Sequence, residues 1–175
     1  MKKALPIGVE NFEDLVQSGY YYVDKTMFIK ELLDLKGKVN LFIRPRRFGK
    51  TLNLSMLRYF FEDTGNLKMN EQNKELFRGL KIMDTGEKYT EHMGRYPVIN
   101  LTLKSAKQPV FCSAYSKIKK EIAKEFRRHR YILDSDEISD DDKNLFRDII
   151  SGKAEYDDYS GALEFLSACL YQATG

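Results

Sequence analysis

Between Val39 and Phe61 the spacing of apolar residues switches from strand-like to helical. Val39 to Ile43 is apolar and β-branched at its ends, with Asn40 the one polar interruption, and reads as a buried strand. From Thr51 onward Leu54, Leu57 and Phe61 fall at i, i+3, i+7 with Met56 and Phe60 beside them, which predicts a helix. A second strand-like run spans Pro97 to Leu103. Elsewhere the period is helical. Asn11, with Asp14 three residues later, opens a short helix that Gly19 ends, and Asp24 can cap another whose Phe28, Leu32 and Leu35 form a stripe stopped by Gly37. Tyr115, Ile118, Ile122 and Phe126 define a long amphipathic helix. Ser139 caps one that presents Leu145 and Ile149 and ends near Gly152, and Leu163, Leu166 and Leu170 mark the last. Gly65, Gly79, Gly86 and Gly94 punctuate a polar middle segment that reads as loop-rich with short helices. Strands among helices predict one α/β, P-loop NTPase-like domain over residues 1–175, with a small, mainly parallel sheet whose central strands are Val39 to Arg44 and Pro97 to Leu103.

The residues joining the first strand to its helix carry the chemistry. Gly49 lets backbone approach a phosphate closely, and the amides that follow point at it from the positive end of a helix. Lys50 would reach the β- and γ-phosphate oxygens and Thr51 would place its hydroxyl on Mg²⁺. Pro45, Arg46, Arg47, Phe48, Gly49, Lys50, Thr51 and Leu52 are therefore the expected nucleotide-binding stretch, with Thr51 as metal ligand and ATP and Mg²⁺ as cofactors. Arg44 stands where the general G-x-x-x-x-G-K-[ST] pattern has its first glycine, and Pro45 supplies a fixed φ with which the turn can tighten. Gly-Lys-Thr also occurs by chance in surface turns; the strand before and the helix after favour nucleotide binding.

Three motifs in order, Pro6-Ile7-Gly8-Val9-Glu10-Asn11-Phe12, Tyr21-Tyr22-Val23-Asp24-Lys25-Thr26 and Arg44-Pro45-Arg46-Arg47-Phe48-Gly49-Lys50-Thr51-Leu52-Asn53, resemble the bacterial AAA-ATPase-like family. Leu76-Phe77-Arg78-Gly79-Leu80-Lys81-Ile82 and Tyr96-Pro97-Val98-Ile99 extend the resemblance over essentially the whole chain, and Arg44 suits that family's R-P-R-R-F-G-K-T loop. The resemblance implies that Pro6 to Phe12 wall the adenine pocket, that Asp24 and Lys25 lie near the loop, and that a PD-(D/E)-x-K nuclease-like domain follows in the longer protein. It also implies an acidic, magnesium-ordering strand shortly after a helix like Ala162 to Thr174, so the chain reads as truncated before it. Lys81-Ile82-Met83-Asp84 has too few apolar residues to serve, Tyr131-Ile132-Leu133-Asp134 reads as a helix end, and Pro97 to Leu103 is followed by Lys104. No catalytic residue is assigned. The expectation is an ATP-binding domain of an ATPase that does not itself hydrolyse ATP, the alternative being a protein- or nucleic-acid-interaction module that keeps the loop as scaffold.

Composition narrows the setting. At 175 residues and 42% hydrophobic, one domain is expected. No apolar run approaches the roughly 20 residues that span a bilayer and no signal-peptide segment opens the chain, so a cytoplasmic protein without membrane partners is expected. Cys112 and Cys169 lack metal spacing and read as reduced core or near-core residues; His92 and His129 read as solvated. The long helix carries Lys117, Lys119, Lys120, Lys124, Arg127, Arg128 and Arg130 opposite its apolar stripe. With 29 basic against 26 acidic residues and a net charge of +3, that face reads as solvated rather than as a nucleic-acid surface, leaving nucleic acid an open question.

Overall fold

Helices make up almost all the regular structure in the computed structural model, which describes residues 3–43, 45 and 47–175. Asn11 caps α1 (Phe12–Gln17) by accepting from the Glu13 amide, as its side-chain chemistry predicts. Then come α2 (Met27–Leu35), α3 (Lys50–Phe61), α4 (Leu67–Glu75), a 3-10 turn over Lys81–Thr85 and α5 (Glu87–Thr90). Lys36, not Gly37, takes the left-handed position after α2. These elements belong to the first of two compact units, Met1–Val98 and Ile99–Gly175. The second contains a 3-10 turn over Lys104–Ala106, α6 (Phe111–Arg128), another over Arg130–Asp134, α7 (Asp140–Ser151), α8 (Tyr156–Ser160) and α9 (Ala162–Thr174). Ser139 caps α7 and Gly152 closes it at φ 81°, a left-handed turn that suits glycine.

No β-strand or sheet is present among the described residues, which overturns the expected α/β, P-loop NTPase-like fold and its small parallel sheet. Among the described residues an isolated parallel bridge joins Glu62 and Tyr96. Alternating apolar residues report only which side chains could share a face; a strand exists when a neighbour accepts its ladder of hydrogen bonds. Residues 39–43 form no strand with any other described segment, and Val39, Leu41 and Ile43 are 89%, 81% and 74% exposed instead of buried. Arg44, the end of that expected strand, lies outside the described residues. In the other run, Ile99 and Leu101 pack on the core of the second unit without forming a strand, and Leu103 leads into the 3-10 turn.

Each unit has its own core. In the first, the Phe12 ring lies 5.0 Å from Phe77, which meets Phe60 edge-on at 5.3 Å, with Ile29, Met56 and Ile82 around them. The inward face of α3 is Met56, Tyr59 and Phe60, and Leu54, expected in the stripe, points outward. In the second, Phe126 and Phe146 stand 4.7 Å apart among Ile132, Ile149, Leu166 and Leu170. Cys169 is buried there, and burial, with Asp142 adding to it, pushes its thiol up to about 11; Cys112, expected near a core, is exposed. His129 is also a correction: it is buried, with Nε2 3.4 Å from the Glu125 carboxylate. No helix among the described residues is long and apolar enough to cross a membrane.

Glu125 ties the second unit together. Its carboxylate accepts the Asn100 amide at 2.7 Å and the Arg128 guanidinium at 2.6 Å, besides facing His129. Burial acts to raise its pKa, but these hydrogen bonds and the Arg128 charge outweigh it and hold the carboxyl below the usual range. A depressed folded value stabilises the protein above the unfolded pKa and is lost as pH falls through the folded one. Glu125→Gln should therefore cost about 3 kcal/mol at neutral pH, by leaving Arg128 without its carboxylate. The gap in melting temperature between wild type and variant should close on acidification below the ordinary glutamate range; a gap that stays constant from neutral to acid pH would remove Glu125 from this role.

Candidate nucleotide site at the start of α3

Gly49 precedes α3 in the left-handed region, at φ 70° and ψ 20°, and a Cβ there would meet nothing within 4 Å, so conformation and not space calls for glycine. The first intrahelical bond runs from the Asn53 amide to the Gly49 carbonyl at 2.9 Å. Gly49, at the cap position, has no side chain to cap the helix, and the first turn of a helix is where backbone amides can meet an anion. Arg47 is also left-handed, at φ 69°, a conformation that costs a residue with a Cβ about 1–2 kcal/mol. Arg47 is therefore held in a conformation that its side chain does not favour.

Beside it lies a cavity of about 620 Å³, within the range of small-molecule sites. Phe28, Phe42 and Phe48 give it aromatic walls, Lys25 and Lys50 bring two ammonium groups, and Met27, Glu31, Asn40, Asn53 and Leu54 complete the lining. Phe28 and Phe42 meet edge-to-face at 4.8 Å, which fixes the orientation of both rings.

Two sets of hydrogen bonds hold the walls. The Phe12 amide donates to Ser55 Oγ at 3.0 Å, joining the start of α1 to α3. Asp24 Oδ1 accepts from the Thr26 amide and hydroxyl at 2.8 and 2.7 Å, and its Oδ2 accepts the Lys81 amide at 2.8 Å. Thr26, fully buried, accepts the Ile82 amide at 3.2 Å. Asp24 thus fastens the entrance of α2 to the Lys81–Thr85 turn, while Thr26 occupies the cap position itself. Burial acts to raise the Asp24 carboxyl, but the Lys81 amide, both Thr26 donors and the Lys81 charge hold it low. Tyr22 accepts the Lys25 amide at 3.2 Å and donates to Met56 Sδ at 3.4 Å, placing Lys25 over α3.

Of the expected nucleotide-binding residues, Phe48 and Lys50 line the cavity, Gly49 makes the turn, and Pro45 and Arg47 are exposed in the loop ahead of it. Thr51 is exposed on the first turn of α3, and Leu52 is half-buried against the core of the first unit. Arg46 lies outside the described residues. Lys25 does come to the loop's cavity; Pro6 to Phe12 do not line it, and Phe12 is spent in the core. Sequence reasoning missed Glu31, Asn40, Phe42 and Asn53, and counted Phe28 as helix core. The available signal was Phe28 at the head of the α2 stripe, where a helix has little to bury its residues against.

Residues 6–159 match the model of a family described as predicted AAA-ATPase. The chain belongs to this AAA-ATPase-like family. It is also similar to an uncharacterized protein in the vnfD 5' region of Azotobacter chroococcum mcd 1, with 36% identity over 102 residues, 58% of this chain and 17% of that protein. The matched part of the chain thus spans less than a fifth of the relative's length. No solved structure matches the AAA-ATPase-like chain.

The Thr26 hydroxyl has a measurable role. Thr26→Val keeps shape but strands the buried Ile82 amide, at a cost of about 1–3 kcal/mol. Melting should fall by roughly 2–4 °C per kcal/mol, while Thr26→Ser, which keeps the hydroxyl, should fall less. Equal losses in the two variants would assign the site to packing alone.

Proposed function

We propose that this AAA-ATPase-like chain binds ATP with Mg²⁺ in the cavity at the start of α3. The observation that supports the reading is the meeting, in one cavity, of two lysines, three phenylalanines and a helix start that glycine opens. An aromatic wall suits a purine ring, whose face stacks on it, and the phosphates would extend toward Lys25 and Lys50. The first-turn amides of α3 and the open space at Gly49 fit a bound phosphate. A magnesium ion would arrive with the nucleotide. Thr51 offers it one hydroxyl, and among the described residues no group of three histidine, cysteine or acidic side chains is placed to hold a metal alone. Mg²⁺ partly neutralises the phosphates when bound. Hydrolysis belongs, on this reading, to a longer protein that brings a magnesium-ordering carboxylate and a nuclease-like domain, and the greater length of the Azotobacter relative is in keeping with that.

Thermal melting provides the test. A ligand specific for the folded state at 100 times its dissociation constant adds about 2.7 kcal/mol, a rise of roughly 5 to 10 °C for a chain of this size. Saturating MgATP should produce that rise in wild type and none in Lys50→Ala, and Thr51→Ala should chiefly remove its magnesium dependence. If both proteins melt together and calorimetry detects no heat of binding, the cavity is not a nucleotide site.

Turnover by the chain alone should stay at background, because Glu31 is the one carboxylate in the described lining and no second acid stands with it. Phosphate release well above background, abolished in Lys50→Ala, would show a working catalytic acid.

A further inference from the structure

One face of α6 takes no part in the activity proposed above. Tyr115, Lys119, Lys120 and Arg127 lie along it and form a groove of about 470 Å³ with the C-terminal turn of α7 and Tyr159. Arg127 is fixed by donating to the Ile150 carbonyl at 3.0 Å, and Lys119 Nζ sits 4.3 Å from the centre of the Tyr159 ring. The groove opens beside a line of aromatic rings. Phe111 stacks on Tyr115 with centroids 6.0 Å apart and planes 10° apart, and Tyr115 meets Tyr156 at 5.1 Å. The two outer rings face solvent, with Phe111 69% and Tyr156 59% exposed. The Tyr115 hydroxyl, by contrast, is buried and has no partner among the described residues.

We propose that this face of α6 binds single-stranded nucleic acid, with bases stacked on Phe111 and Tyr156 and phosphates met by Lys119 and Lys120. Exposed rings next to cations are what unpaired bases on a phosphate chain require, since every base has a face to stack and every linkage a charge to place. A duplex keeps its bases out of reach of the rings, and an acidic polypeptide would use the lysines and leave the rings idle. Asp157, next to Tyr115 in sequence-distant α8, repels phosphate and keeps the affinity modest.

Fluorescence anisotropy of a labelled oligo(dT) of about 15 nucleotides with the full chain, titrated with salt, reads the proposal directly. Binding should weaken as salt rises, and Lys120→Ala should lower the slope of log affinity against log salt by about 0.7. Tyr156→Ala, at a ring 59% exposed, should weaken binding about 5- to 150-fold. The proposal fails if no binding is seen at about 50 mM salt, if Tyr156→Ala binds as wild type, if duplex binds as tightly as single strand, or if polyglutamate displaces the oligonucleotide as well as unlabelled oligo(dT) does. The last result would make the face a dock for acidic polypeptide.

Discussion

Burial of one side of α3 is the constraint on which the first unit depends. Met56 and Phe60 are fully buried and Tyr59 nearly so, and each such side chain contributes about 1.5–3 kcal/mol by leaving water. That is more than the 1–2 kcal/mol by which a left-handed Arg47 is disfavoured. Packing therefore decides where α3 begins, and Arg47 takes a left-handed conformation ahead of it. The consequence reaches the site, because the amides of the first turn and Lys50 are aimed by a helix whose axis the core has set. Ser55, on the same helix, fixes the start of α1 through the Phe12 amide, so one element positions both the cavity floor and its support.

What could be read from the sequence was what local chemistry decides. Asn11 and Ser139 cap helices because a short polar side chain reaches an amide two or three residues on, and Gly152 ends one because left-handed backbone admits it cheaply. The sheet could not be read in the same way. Val39 to Ile43 has the composition of a strand, but a ladder is made by two segments, and the second leaves no mark in the first. Glu125 and His129 failed to stand out for a related reason. On a helical wheel Glu125 looks like one more charge offsetting a basic face, while its partner Asn100 lies 25 residues away. Likewise the loop at Gly49 was legible and its walls were not: Phe42 and Asn40 come to the cavity by the path of the chain between α2 and α3, which no periodicity encodes.

Charge shows why a whole-chain balance misleads. A net charge of +3 describes a nearly neutral protein, yet Lys117, Lys120, Lys124 and Arg127 are all exposed on α6, while the acids of that helix are turned to other work. Glu125 is buried with Arg128, and Glu121 accepts from Ser105 at 3.1 Å. The neutralising carboxylates are thus taken up by structure, and the cations are left at the surface where phosphate would meet them. Exposed pairs contribute little to stability in any case, so an uncompensated basic face costs the fold little.

The cavity's own charges bear on what would fill it. Lys25 and Lys50 bring two positive charges and Glu31 one negative, and all three line a space with three aromatic rings. On the proposed reading, a free triphosphate would meet both the attraction of the lysines and the repulsion of Glu31. Mg²⁺ would offset half of a triphosphate's four negative charges, and the Glu31 carboxylate would then meet a less negative ligand. If the cavity takes a nucleotide, Glu31 would therefore favour the magnesium complex over the bare nucleotide. An aromatic cavity with lysines alone would lack that preference.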